Sequence, residues 1–450
     1  MNILVLNGSP KGEYSITLQT CKYLEKLYPQ YDFNYVNVGK DIKKLEKDVT
    51  LVLGDIKKAD LIIFAYPVYT FLAPYQLHRF IEILKQSGIS LEGKFVTQIS
   101  TSKRFYDVTA HKYISENCFD MGMKYINGLS ADMDDLPTPK GQKQARDFFN
   151  FVIWSVENDL YEKDFIKRTS PKNVKVAFSH EIKGDKAGDI VVVTNCEKED
   201  YQLESMIDSF SRAVKYNVRV VNINEYPFKG GCLGCLKCAA DGKCVYKDGF
   251  DEFLRNNIQN AQAIIYAFTI KDHSMGASFK LYDDRQFCNG HRSVTMGMPV
   301  GYIVSGNYSE ETNLQMITQA RASVGGNFLA GVATDEYNPD EEIKKLVLSL
   351  EYALDNSYAP PQNFYGVGGT KIFRDLIWTM QGFMKADHKF YKAHKQYDFP
   401  QKNRGMMILS YLLGMAMSNP KIKAKMGNKM NEGMLMPYKK ILDDIDKKKS

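Results

Sequence analysis

Four cysteines lie within 13 residues of the chain and form the pattern C-x2-C-x2-C-x5-C: Cys232, Cys235, Cys238 and Cys244. Four thiolates this close together, on a backbone that contains several glycines, can surround a small inorganic cluster. Disulfide bonds would be strained at this spacing, and zinc prefers two separated pairs of ligands. The pattern therefore favours a [4Fe–4S] cluster, with a zinc site or redox-active or idle thiols as the alternatives.

Residues 7–17, NGSPKGEYSIT, have the residue types of a phosphate-binding loop. They lie between a short apolar run and a segment with helical spacing. Gly8 permits a tight turn, hydroxyl groups follow it, and the start of a helix offers free N–H groups and a positive dipole end. Neither GxxxxGK[ST] nor GxGxxG occurs in the chain. The alternative is an ordinary strand-to-helix turn capped by Ser15.

Two further polar or aromatic loops follow predicted strands. Residues 65–74, AYPVYTFLAP, come after the third strand, and residues 100–102, STS, come after the fourth. In an open α/β sheet, ligands bind outside the carboxyl ends of the strands. An aromatic loop there can stack on a flat ring, and small hydroxyl residues can contact the edge of the ring. The alternative for residues 65–74 is a hydrophobic plug at the end of the sheet.

Together, these three loops resemble those of the flavodoxin-like, FMN-binding NAD(P)H oxidoreductases, over about residues 1–165. The resemblance implies that FMN supplies the redox chemistry, with NAD(P)H as cosubstrate, and that no side chain need be catalytic. It implies phosphate contacts from Ser9, Lys11, Ser15 and Thr17, ring contacts from Pro67, Val68, Tyr69 and Phe71, and edge contacts from Ser100, Thr101 and Ser102. Tyr69 is the candidate contact on the substrate side.

The cysteine motif resembles that of the iron–sulfur flavoproteins, over about residues 172–356, because in that family it also follows the second strand. Here the first loop has changed character. When the two loops are aligned, Asn195 stands at the position of Gly8, Gln202 at that of Ser15 and Glu204 at that of Thr17. Acidic side chains at positions 197, 199, 200 and 204 would repel a phosphate dianion. We therefore expect the second domain to have lost FMN and kept a cluster.

The strands and helices that position these motifs occur as two successive copies of one pattern. Strands and helices alternate, and the strands read as continuous apolar runs, which is typical of a parallel sheet covered on both faces. The run KADLIIFA at 58–65 is similar to the run NAQAIIYA at 260–267, and each occupies the same place in its unit, at the third strand. The predicted strands are 2–6, 33–38, 61–64, 95–100 and 125–130, then 189–194, 218–223, 263–268, 300–304 and 328–333, with a possible extra strand at 174–178.

The predicted fold is therefore α/β, with tandem flavodoxin-like, doubly wound, parallel five-stranded sheets and a C-terminal helical extension. The predicted domains are 1–168, which binds FMN, 172–356, which carries the cysteines, and a basic, Met-rich extension at 357–450. Residues 361–450 contain 17 Lys and Arg but 7 Asp and Glu, whereas the whole chain has a net charge of only +6. The run DDR at 283–285 is interpreted as a structural ion-pair cluster.

Composition excludes several classes of protein. Apolar residues make up 44% and charged residues 25%, which rules out global disorder and low-complexity classes. The start of the chain lacks a signal-peptide pattern, and the apolar run at 405–417 is shorter than a membrane span. We expect no transmembrane segment, a reducing cytoplasmic location, and no nucleic-acid partner, since no reading module is visible.

The function expected from these patterns is a flavin-dependent oxidoreductase. It would pass electrons from NAD(P)H via FMN, and a [4Fe–4S] cluster, to a small organic molecule or to a protein such as a ferredoxin. The tandem fusion would act as an internal pseudo-dimer, or the chain would form a homo-oligomer. The alternatives are a non-catalytic electron carrier or redox sensor, and a plain FMN reductase with a structural zinc.

Overall fold

The computed structural model describes residues 1–163, 169, 174–177, 186–399 and 403–421, together with residues 435, 436, 443 and 447. The chain divides into two compact units, Met1–Tyr391 and Lys392–Ser450. Both parallel sheets belong to the first unit.

The first sheet has the strand order β2-β1-β3-β4-β5, with β6 also pairing with β4, and all pairs are parallel. Its strands are β1 Asn2–Asn7, β2 Asp32–Val36, β3 Leu61–Pro67, β4 Phe95–Ser102, β5 Lys124–Tyr125 and β6 Leu129–Asp132. The helices of this part are α1 Ile16–Leu27, α2 Ile42–Leu45, α3 Thr50–Lys58, α4 Tyr75–Gln86, α5 Asp107–Asp120 and α6 Pro139–Glu157.

The second sheet repeats this order as β11-β10-β9-β7-β8. Its strands are β7 Ala187–Thr194, β8 Tyr216–Asn222, β9 Ala263–Thr269, β10 Pro299–Ser305 and β11 Phe328–Thr334. The accompanying helices are α7 Tyr201–Ala213, α8 Cys238–Asp241, α9 Phe250–Phe253, α10 Gly276–Arg285, α11 Thr312–Gly325 and α12 Pro339–Asn356. The flavodoxin-like fold predicted twice from the sequence is confirmed.

Three more helices follow the second sheet: α13 Phe364–Thr379, α14 Lys385–Ala393 and α15 Arg404–Met417. The first of them packs within the first unit, where Phe373 contacts Phe105 and the Tyr106 hydroxyl donates to the Tyr365 carbonyl. Among the described residues, no helix is both long and apolar enough to cross a bilayer.

Each sheet is covered on both faces because alternate residues of its strands point to opposite sides. In β1, Leu4 and Leu6 pack into one core and Ile3 and Val5 into the other, and all four side chains are at most 1% exposed. The first turns after the strands then meet at the carboxyl edge of the sheet, where a ligand site forms.

Two strand predictions need correction. The fifth strand is not continuous over 125–130: it is divided into β5 and β6, with a break where Gly128 comes so close to Gln98 that a β-carbon would lie 2.3 Å from the Gln98 Cγ. The extra strand at 174–178 is absent from its described part, residues 174–177. There the backbone bonds to Asp335 and Asp340 rather than to a strand.

Candidate functional site

The turn between β1 and α1 forms a compact, polar cradle. Ser9, Ser15 and Thr17 are each at most 2% exposed. The Ser9 hydroxyl accepts the Lys11 N–H at 3.3 Å, and the Ser15 hydroxyl caps α1 by accepting the Leu18 N–H at 3.4 Å. The other first-turn N–H groups of α1 have no partner within the helix. The cradle thus combines hydroxyls with a helix N-terminus, which suits a phosphate group.

The surroundings of this cradle carry cations. The Lys40 side chain lies so close over Gly12 that a β-carbon there would lie 2.6 Å from Lys40 Cδ, and Gly12 has a φ of +55°. Glu13, the acidic residue of the loop, is paired with Lys22 at 2.5 Å. Hydrogen bonds from Lys22 and Asn37 lower the pKa of Glu13. Lys11 in the loop and Lys40 beside it are therefore the cations near this cradle, and the carboxylate of the loop is paired with Lys22.

Hydrogen bonds join the three predicted loops at one edge of the sheet. The Thr17 and Thr101 hydroxyls are 2.6 Å apart, and the Val68 N–H donates to the Thr101 carbonyl at 3.1 Å. Ser100 instead bonds to His111 Nε2 at 2.7 Å, and Ser102 accepts the Arg104 N–H at 2.7 Å. The structure thus brings the loops together, with Thr101 at their junction.

The aromatic loop is a tight turn in which Tyr69 and Leu72 exchange backbone hydrogen bonds. Pro67 and Val68 are half-buried, and Tyr69 is 8% exposed. Thr70 and Phe71 have φ values of 43° and 70°, a left-handed conformation that is strained for residues with a β-carbon. Phe71 packs on the rings of Phe105 and Tyr106, so its contacts are structural, and its predicted contact with a flavin stays a prediction.

The second half of the chain holds this aromatic loop in place. Lys280, fully buried on α10, donates to the Tyr69 carbonyl at 2.8 Å and pairs with Asp284. Arg321 on α11 donates to the Thr70 carbonyl at 3.3 Å and pairs with Asp283 at 2.5 Å. No pattern in the sequence indicated a role for Lys280 or Arg321 at this site.

The run DDR at 283–285 is confirmed as a structural ion-pair cluster. Asp283 and Asp284 pair with Arg321 and Lys280, and Arg285 pairs with Asp248 at 2.8 Å. All three residues of the run are at most 1% exposed. Because buried charges are costly unless they are paired, these carboxylates hold the cations that reach the aromatic loop.

The cysteine motif lies directly against the aromatic loop and the phosphate cradle of the first half. A β-carbon added to Gly234 would lie 1.8 Å from the Tyr69 hydroxyl oxygen and 3.3 Å from Lys11 Cε. The Gln76 side chain donates to the Cys232 carbonyl at 3.3 Å. The ring of Phe287 meets that of Tyr69 edge-on at 5.7 Å. A cofactor in the first half and a metal centre in the second would therefore be neighbours within one chain.

The cysteines themselves are suited to binding metal. The Gly234 N–H donates to Cys232 Sγ at 3.4 Å, and the Cys238 thiol donates to the Phe287 carbonyl at 3.0 Å. Burial and then the charges of Cys235 and Cys244 raise the pKa of Cys238 to about 11. Burial and the Asp284 carboxylate raise that of Cys232. These thiols therefore lose protons only when a positive centre binds, so binding releases protons.

The corresponding turn in the second half, between β7 and α7, is filled by its own carboxylate. Asp200 accepts the Glu197 N–H at 2.9 Å and the Thr269 hydroxyl at 3.3 Å. Glu197, Glu199 and Glu204 are exposed around the same turn. In the first half, the corresponding turn offers its N–H groups to an anionic ligand. In the second half, the Asp200 carboxylate already occupies this position.

Two described residues between the sheets, Thr169 and Val174, also lie at this second edge. The Val174 N–H donates to the Asp335 carbonyl at 2.8 Å, and Gln202 donates to the Val174 carbonyl. Asn307 donates to the Thr169 carbonyl at 2.7 Å. Asp335 follows β11, Asn307 follows β10 and Gln202 is on α7, so both residues contact the carboxyl edge of the sheet.

A histidine cluster between the halves was not found by sequence reasoning. His273 bonds through Nδ1 to Glu311 at 3.0 Å and through Nε2 to Asp120 at 2.8 Å. Within the described residues, Glu116, His273 and Glu311 are the group whose ligand atoms are close enough for a metal ion. Burial would lower the His273 pKa, but hydrogen bonds to Asp120 and Glu311 outweigh it and raise the pKa to about 9. The imidazolium itself is therefore the cation of this cluster.

A parallel sheet of order 2-1-3-4-5 with a ligand cradle after its first strand defines the flavodoxin-like fold. Residues 1–134 match the NADPH-dependent FMN reductase family. The chain is 30% identical, over 171 residues, to an iron–sulfur flavoprotein of Archaeoglobus fulgidus, a match that covers 36% of this chain and 77% of that protein. The chain therefore belongs to the family of that protein and is a flavodoxin-like, NAD(P)H-dependent FMN oxidoreductase.

Solved structures with a similar fold include flavoenzymes. One is the NAD(P)H:(acceptor) oxidoreductase FerB of Paracoccus denitrificans, with 18% identity, a TM-score of 0.29, and coverage of 35% of this chain and 95% of that chain. Another is an NAD(P)H:quinone oxidoreductase of Methanothermobacter marburgensis, with 11% identity, a TM-score of 0.27, and coverage of 36% and 98%. Likenesses at these scores say nothing about the acceptor of this chain.

Proposed function

We propose that this chain is an FMN-dependent NAD(P)H oxidoreductase in which Cys232, Cys235, Cys238 and Cys244 hold a [4Fe–4S] cluster beside the flavin. Its acceptor takes electrons one at a time and is a small organic molecule or a ferredoxin-like protein. The two halves of the chain form an internal pseudo-dimer, in which the first half supplies the flavin site and the second the cluster.

The observation that carries this proposal is the contact between the cysteine motif and the flavin loops. Gly234 lies against both Tyr69 and Lys11. Gln76, at the start of α4, holds the motif in place through the Cys232 carbonyl. An internal arrangement of this kind gives two redox groups a fixed short separation without requiring a second chain.

The flavin site fits FMN through the chemistry of its donors. Ser9, Ser15 and the N-terminus of α1 would hold the phosphate, with Lys11 and Lys40 balancing its charge, and the half-buried Pro67 and Val68 would border the ring. FMN, when bound, supplies hydride and single-electron chemistry that no side chain of the protein can provide. The work of the protein is to orient the cofactor, and Lys280 and Arg321 do so by fixing the aromatic loop.

The spacing of the cysteines along the chain favours a cluster over zinc. Three cysteines follow one another as C-x2-C-x2-C and the fourth comes after five intervening residues, whereas zinc prefers two separated pairs of ligands. The relative in Archaeoglobus fulgidus is called an iron–sulfur flavoprotein.

The first test is composition. Anaerobic purification followed by determination of iron, sulfide, zinc and FMN should give about four irons and one FMN per chain, as a single [4Fe–4S] cluster and one flavin require. Stoichiometric zinc, or FMN without metal, would refute the cluster and leave a plain FMN reductase.

The second part of the test separates flavin reduction from one-electron delivery. In Cys235→Ser, reduction of FMN by NAD(P)H should continue, while turnover with a one-electron acceptor such as ferricyanide or a ferredoxin should fall at least about tenfold, or about 1.4 kcal/mol in barrier. Cys196→Ser, a half-buried cysteine outside the motif, is the matched control. Equal turnover in both variants would contradict the relay.

A further inference from the structure

Helix α15, Arg404–Met417, is apolar around its whole circumference. Four successive apolar residues, 406–409, turn through all sides of a helix at about 100° per residue. The large apolar side chains of this helix are about half exposed or more: Met406, Met407, Ile408, Leu409, Leu412, Leu413 and Met415. Exposed apolar surface of this extent is typical of an interaction site.

The length of α15 limits what it can enter. Its 14 residues span about 21 Å at 1.5 Å per residue, whereas the hydrocarbon core of a bilayer is about 30 Å thick. The helix is too short to cross that core, but it can lie in the boundary between headgroups and acyl chains. Its methionines, with flexible and polarisable side chains, adapt to an irregular apolar environment.

Charge around the helix selects the kind of partner. From residue 399 to residue 431 the sequence has no Asp or Glu, whereas it has six basic residues: Lys402, Arg404, Lys421, Lys423, Lys425 and Lys429. Basic residues thus stand on both sides of the apolar helix. Two copies of the chain joined through α15 would bring twelve such charges together, which is unfavourable. A surface of anionic headgroups over an apolar layer complements both features.

We propose that α15, with Arg404 at its start and Lys421 after its end, docks the protein peripherally on an anionic lipid bilayer. A protein groove would cover one side of the helix, whereas the boundary between headgroups and acyl chains can take up apolar side chains around more of its circumference. The inference is independent of the proposed redox function, because it concerns the second compact unit only.

The test is flotation of the purified full-length chain with lipid vesicles. The protein should float with phosphatidylglycerol/phosphatidylcholine vesicles at low salt, less so at high salt, and poorly with phosphatidylcholine alone. Leu412→Glu, at a position 55% exposed, should lower the partition on the order of tenfold or more, since a charge in the apolar layer is costly. Leu348→Glu on α12, at a position 58% exposed, is the matched control and should float like the wild type.

Lys421→Glu provides a second variant that leaves the apolar face intact, and it should weaken flotation with anionic vesicles only. Far-UV circular dichroism and thermal unfolding of the full-length chain report folding of each variant independently. Failure of the wild type to float, equal flotation on neutral lipid, or unchanged flotation of Leu412→Glu would overturn the proposal. Self-association in sedimentation that Leu412→Glu abolishes would also overturn it and would make a second copy the partner.

Discussion

At the scale of single residues, the important contact joins two motifs that are 165 positions apart in the sequence. Gly234 has a φ of +59° and leaves no room for a β-carbon beside the Tyr69 hydroxyl. Burial, followed by the charges of Cys232 and Asp284, raises the Tyr69 pKa well above its usual value, so this phenol stays protonated. Because the cysteine motif covers Tyr69, the predicted substrate-side role of this residue stays a prediction.

We expect Gly234→Ala to disturb the site and not only the backbone. A left-handed alanine costs about 1–2 kcal/mol by itself, and the new methyl group must also push Tyr69 and Lys11 away from the cysteine motif. One-electron turnover should therefore fall several-fold further than in a variant that loses the same free energy of unfolding without this contact. Gly297→Ala is the matched control, since Gly297 has a φ of +85° but nothing within 4 Å.

Thermal unfolding and acceptor turnover of the two glycine variants decide the matter. Both variants should lose similar stability, and only Gly234→Ala should lose turnover. If Gly297→Ala loses as much turnover as Gly234→Ala, the contact with Tyr69 has no part in the activity.

At the scale of elements, α4 and α10 pack the two halves against each other with buried polar contacts. The Tyr75 N–H donates to Asp284 and the Ala277 N–H to Glu82, at 2.8 and 2.9 Å. The His273 cluster lies at the same junction, since Asp120 ends α5 of the first half and His273 follows β9 of the second. A protonated His273 therefore ties the two halves together through two carboxylates.

The stability of the junction should depend on pH through His273. Its folded pKa of about 9 is above the unfolded value of about 6.5, so the stabilisation is complete below pH 6.5 and is lost as the pH rises through 9. The difference corresponds to on the order of 3 kcal/mol. In His273→Gln, denaturant unfolding should show a lower free energy near pH 6 and a weaker decline between pH 7 and 10.

Glu311 and Asp120 contact His273 through its two ring nitrogens, and Lys85 pairs with Asp120 at 2.7 Å. His111 is the control, because burial lowers its pKa to about 4 and keeps it neutral over the whole range. His111→Gln should lower stability without changing the slope. An unchanged slope in His273→Gln would show that His273 is not the titrating group.

At the scale of the whole molecule, two copies of one fold have acquired different surroundings. The first copy has a cradle lined with hydroxyls and cations. In the second copy, Asp200 fills the turn and Val174 bonds to Asp335 at the sheet edge. Loss of FMN from the second copy stays a prediction, and the filled turn supports it.

We expect one FMN per chain, bound in the first half. Ser15→Asp keeps a capping residue at the start of α1 but places a negative charge beside the phosphate, so the affinity for FMN should fall on the order of tenfold or more. Gln202→Glu puts a like charge at the corresponding position of the second half and should leave binding unchanged. Flavin titration of the apoprotein of each variant measures this; two FMN per wild-type chain, or loss of binding in Gln202→Glu, would contradict it.

The sequence by itself determined the two doubly wound sheets, the cysteine motif and the changed second cradle, because strand periodicity and ligand spacing are local properties of the chain. It was less informative about α5, which it did not identify. Thr109, Ser115, Glu116 and Asn117 of that helix are all buried, so no polar face marks it. The division of the fifth strand at Gly128 likewise depends on contact with Gln98 of another strand.

Only the tertiary structure decided how the halves meet. It placed the cysteine motif against Tyr69, directed Lys280 and Arg321 to the aromatic loop, and brought Val174 to the second sheet edge. These contacts join residues 28 to 251 positions apart. They follow from the packing of whole helices against each other, which leaves no periodicity in the sequence, and so the local pattern of residues could not reveal them.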